Sequence, residues 1–76
     1  MSVGGGEVAR IGLRLVDDAY MSWATAQAQC EVALNAWFEA PPSRRAIANC
    51  AYRAALDREE AAASDLARLL RLADAA

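Results

Sequence analysis

The chain of 76 residues contains no lysine and no histidine, so its eight basic residues are all arginine. Without histidine, the commonest general base and metal ligand is missing. The Ser/His and Cys/His nucleophile pairs are thereby excluded, as are the Glu-x-x-His motifs of di-metal carboxylate bundles. Proline occurs only as Pro41-Pro42, and glycine only at Gly4, Gly5, Gly6 and Gly12. Nothing punctuates the chain from Leu13 to Pro41, or from Ser43 onward, whereas a sheet needs turn signals at much shorter intervals. Met1 to Arg10 lacks the basic start and apolar core of a secretory signal. The net charge of −2 gives no electrostatic argument for nucleic acid or acidic lipid. Gly4-Gly5-Gly6 is no phosphate loop either, since no strand precedes it and no Lys-Ser/Thr follows.

What is present is apolar and helix-forming. More than half of the residues are hydrophobic, many of them alanine, which favours helix but adds little area to a core. The expected fold is all-α: a flexible leader over 1–6, then one antiparallel, coiled-coil-like hairpin over 7–76. Its helix 1 is expected at about 7–39, its turn at 40–43 and its helix 2 at about 44–73. From Glu7 to Glu39 the spacing alternates fours and threes. Ala9, Leu13, Val16, Tyr20, Trp23, Gln27, Cys30, Leu34 and Trp37 form one seam of coiled-coil type. Beside it Gly12, Ala19, Ala26, Ala33 and Ala40 form a ridge of small residues at seven-residue intervals, which lets a neighbouring helix come close. Pro41-Pro42 ends helix 1, and Ser43 is placed to cap helix 2. Helix 2 gathers Ala48, Ala51, Tyr52, Ala55, Ala62, Ala63, Leu66, Leu69, Leu70 and Ala73 on one arc. Arg53 with Asp57, and Asp65 with Arg68, have helix-pair spacing worth roughly 0.2–0.5 kcal/mol each. Counting outward from the turn sets Trp37 near Ile47, Cys30 near Arg53, Trp23 near Glu59–Glu60 and Val16 near Leu66.

Helix 1 carries more apolar surface than one stripe can hide. Between Ala19 and Phe38 its only charged residue is Glu31, while Met21, Val32, Trp37 and Phe38 flank the seam or point away from it. These four are the expected oligomer interface, joining two hairpins helix 1 to helix 1 as a homodimeric four-helix bundle. The Ala19–Phe38 stretch is long enough to span a bilayer. Ser22, Thr25, Gln27, Gln29, Glu31 and Asn35 argue against it.

The remaining candidates are single residues. Glu59 interrupts the apolar arc of helix 2, as a functional carboxylate or, more simply, as a partner of Gln27 or the Trp23 indole. Gln27 on the seam is a candidate for fixing register. Cys30 and Cys50 are expected as free thiols in a reducing, cytoplasmic setting. Arg44-Arg45 at the turn offers an anion contact, and as cations at a helix N-terminus the two arginines oppose its dipole. No catalytic residue, cofactor or metal is expected. The reading is a self-associating interaction or structural module, with helix 2 available to a protein partner and nucleic acid and membrane disfavoured. Two alternatives stand beside it. One is a dimeric nucleic-acid regulator using Arg44, Arg45, Arg53, Arg68 and Arg71. The other is a carrier of small hydrophobic ligands with Glu59 as polar anchor.

Overall fold

A computed structural model describes the backbone of residues 3–75 and the side chains of residues 10–75. It consists of α1 (Val3–Glu39), a 3₁₀ turn (Pro42–Arg44) and α2 (Arg45–Ala75), folded back on each other as an all-α hairpin. Met1, Ser2 and the side chain of Ala9 lie outside the described residues. α1 begins at Val3 rather than Glu7, so its backbone runs through Gly4-Gly5-Gly6, the expected leader. Each of these glycines costs about 1 kcal/mol against alanine in a helix interior.

The two prolines make the turn. Pro41 precedes a proline and is pushed out of the helical region, to φ −65° and ψ 159°. Pro42 then opens the 3₁₀ turn, where its missing N–H leaves no partner unsatisfied. The Arg44 N–H donates to the Pro41 carbonyl at 2.9 Å, and the Arg45 N–H donates to that of Pro42. Ser43 sits inside this turn instead of capping α2, because the backbone supplies the capping bonds itself.

The expected seam is corrected by half a step. On α1 and at Ala40, just past its end, the partly or fully covered positions are Val16, Ala19, Trp23, Ala26, Cys30, Ala33, Trp37 and Ala40, with Ala24 and Leu34 at the edge. Their spacing is that of a heptad with Val16, Trp23, Cys30 and Trp37 at a and the alanine ridge at d. Leu13, Tyr20 and Gln27, expected in the seam, occupy the flanking e positions and are exposed. α2 repeats the pattern, with Tyr52, Glu59 and Leu66 at a and Ala48, Ala55, Ala62 and Leu69 at d. In an antiparallel pair the a positions of one helix lie level with the d positions of the other. Cys30 is thus level with Ala55, Trp23 with Ala62 and Trp37 with Ala48. From Trp37 to Trp23 larger side chains meet alanines, which lets the helices approach closely.

The only fully buried residues among those described are Ala26 (7% exposed) and Ala55 (1% exposed). The molecule is a rod of 66 × 15 × 12 Å with a radius of gyration of 17.8 Å. A compact domain of this length has about 11 Å. None of the described helices is long and apolar enough to cross a membrane.

Candidate interaction face

Heptad geometry gives the hairpin two unlike sides. In an antiparallel pair the e positions of both helices flank one side and the g positions the other. On the e side, α1 carries Leu13, Tyr20, Gln27 and Leu34, and α2 carries Asn49, Leu56, Ala63 and Leu70. The a residues lean toward this side as well, so two aromatic clusters lie along it. Trp37 stacks on Tyr52 with ring centroids 5.7 Å apart, and on Phe38 at 6.0 Å. Further from the turn, Tyr20 tilts against Trp23 at 5.7 Å.

Counting sets Trp37 level with the Ile47 region, and its backbone is indeed level with Ala48, but its ring stacks on Tyr52 while Ile47 lies exposed on the back of α2. Helical side chains lean toward their own N-terminus. Trp37 therefore leans away from the turn and Tyr52 toward it, and the two meet about one helical turn beyond the level reached by counting residues.

The Trp23 indole N–H donates to Glu59 Oε1 at 2.8 Å across the hairpin. This satisfies the half-buried Glu59 and accounts for a carboxyl group within an apolar arc. Gln27, the other polar candidate, is exposed on the e side and has no part in that bond. Cys30 is half-buried in the seam, Cys50 is exposed on the back of α2, and both are free thiols. Arg44 closes the 3₁₀ turn and Arg45 opens α2, and both are exposed. Arg68 pairs with Asp65 at 3.0 Å as its spacing predicts. Arg53 and Asp57 form no such bridge; exposed pairs gain little from being held in one geometry.

The g side is more polar, with Ser22, Gln29, Arg44, Arg58 and Asp65 along it. Two open grooves lie along it. One of about 430 Å³ is lined by Met21, Ser22, Thr25, Ala26, Gln29, Arg58 and Ala62. The other, about 420 Å³, lies near the turn between Ala36–Pro41 and Arg44–Ala51. Neither is lined by Trp23 or Glu59. Among the described residues no three His, Cys, Asp or Glu side chains converge as metal ligands do.

Of the four expected interface residues, Phe38 (74% exposed), Val32 (70%) and Met21 (63%) are open to solvent. Trp37 is partly consumed within the hairpin by Tyr52. The four are not brought together, because Met21 and Val32 lie on the back of α1 and Phe38 beside the e side. The sequence reading missed the e side itself. Its signal was the seven-residue alanine spacing in both helices, which marks the true seam and leaves the e residues outside it.

The chain is an antiparallel helical hairpin whose contact sets alanines largely against bigger side chains and which leaves many of its large apolar residues exposed. Comparison with protein-family models, with curated proteins and with solved structures finds no match to this chain.

Proposed function

We propose that the protein is a self-associating helical module, a hairpin that acts as half of a homodimeric four-helix bundle and serves interaction or scaffolding rather than catalysis. The observation that carries this reading is the inverted distribution of apolar residues. Among the described residues only two alanines are buried, while eleven large hydrophobic side chains, from Ile11 to Leu72, are at least 40% exposed. A monomer that leaves so much apolar surface in water forgoes most of its hydrophobic stabilisation, at about 25 cal/mol per Å². A second copy restores it. In such an assembly the charged back of α2, with Asp57, Arg68 and Arg71, stays free for a further protein partner. A reducing, cytoplasmic setting belongs to the same proposal. Cys30 sits in the seam and Cys50 on the opposite side of the hairpin, and neither is used as a staple.

Static light scattering over a dilution series, with reductant present, tests this reading. The expected mass is twice that of one chain of 8.1 kDa, persisting to low micromolar concentration. A folded monomer across the whole series would end it.

A further inference from the structure

Resting on that self-association, we infer that the e side of the hairpin is the two-fold contact. It pairs with a second copy in parallel alignment, α1 of one chain on α2 of the other and both turns at the same end. The occupant follows first from area. The chain exposes 6039 Å², whereas a compact monomer of this mass exposes about 4,500 Å². The excess of about 1,500 Å² per chain is within the range that obligate dimers bury.

The face follows from composition. Counted from the antiparallel register, Leu13 is level with Leu70, Tyr20 with Ala63, Gln27 with Leu56 and Leu34 with Asn49. No charge interrupts these rungs. The g side, by contrast, carries Arg44, Arg58 and Asp65 in the equivalent positions.

The alignment follows from the charges bordering the strip. A two-fold axis along the rod keeps every level and sets each helix against the other's partner. Arg10 then meets Asp74 of the second copy, and Glu31 meets its Arg53, each twice by symmetry. In the same border Phe38 falls opposite Ala46, large against small. An axis across the rod reverses one copy and sets Asp17 level with Glu31 and Glu60 level with itself. Like charges facing across an interface disfavour that alignment. The expected joining of helix 1 to helix 1 requires this second axis, so the border charges argue for helix 1 on helix 2.

Two measurements on the full chain decide the matter. Spin labels at Ser43→Cys, in a Cys30→Ala/Cys50→Ser background, report the distance between the two turns. Parallel alignment places them under about 30 Å apart, since neighbouring axes lie 8–10 Å apart. The reversed alignment separates them by about 55 Å, from 1.5 Å of rise per residue. Independently of any label, Glu31→Arg or Arg53→Glu alone should raise the dimer dissociation constant about tenfold. The double swap Glu31→Arg/Arg53→Glu should return it to within about threefold of the native value. Short distances with rescue by the swap establish the inference. A dimer with labels about 55 Å apart, or one indifferent to the swap, overturns it and leaves self-association standing. A monomer at every concentration overturns both.

Discussion

At the scale of single residues, the Trp23–Glu59 bond is the one specific polar contact between the helices among the described residues. It also explains why a carboxyl group is tolerated in the apolar arc of α2. Trp23→Phe keeps the ring and removes the donor, leaving Glu59 half-buried without its partner. The expected loss is about 1 kcal/mol of stability, the net worth of such a bond. Urea denaturation of Trp23→Phe, Glu59→Leu and the double variant measures it. Replacing both partners with apolar groups should cost less than the sum of the two single changes. That sub-additive coupling identifies the contact, and strict additivity would show that the indole contributes only by packing. The spacing alone placed Trp23 beside Glu59. The same counting could not place Trp37 on Tyr52, because that contact depends on the direction in which two long side chains lean rather than on the level of their backbones.

At the scale of the helices, the alanine ridges set how closely α1 and α2 approach. Ala55 is 1% exposed and level with Cys30, so an added side chain has nowhere to go. Ala55→Leu should cost roughly 1–3 kcal/mol through overpacking. Ala54→Leu, one residue along on the exposed back, should stay within about 0.5 kcal/mol. Thermal melts of the two variants side by side make the comparison, and equal effects would refute the heptad assignment. The hairpin and its two long helices were legible because proline and glycine fall at so few places and because the apolar spacing is so regular. The identity of the seam was harder. Leu13, Tyr20 and Gln27 continue the four-three spacing as well as Ala19, Ala26 and Ala33 do. Periodicity cannot choose between two adjacent stripes of one helix, and the decision lies in the partner, where Ala48, Ala55 and Ala62 match an alanine stripe and large residues alike. The turn is also an element-scale device. Each proline disfavours helix continuation by about 3 kcal/mol relative to alanine. Pro41→Ala/Pro42→Ala should therefore let α1 and α2 fuse into one long helix that pairs with a second chain by exchange. Small-angle scattering would show this as a radius of gyration well above that of the native assembly, with helical content unchanged by circular dichroism.

For the whole molecule, the two layers of contact differ in kind, and that difference has a thermodynamic signature. The contact within the hairpin is intramolecular, so its contribution does not depend on concentration. The proposed contact along the e side is bimolecular and does. If folding and association are one transition, each tenfold dilution removes about 1.4 kcal/mol of apparent stability per dimer, by mass action. Unfolding entropy of about 2.1 cal/mol/K per residue, over two chains of 76 residues, comes to about 0.3 kcal/mol/K. The melting temperature should accordingly fall by about 4 °C for every tenfold dilution. Calorimetry from millimolar to micromolar chain concentration provides the range needed to see it. A melting temperature independent of concentration would mean that the alanine seam holds the hairpin unaided. Since Ala26 and Ala55 are the only buried residues among those described, that result would mean that the exposed leucines and aromatics add nothing to stability through association. Leu56→Gln and Leu70→Gln carry the same argument to the face itself. Placed together, they should lower the melting temperature at every concentration and move dimer dissociation to higher concentration, whereas Val32→Gln on the back of α1 should leave both unchanged.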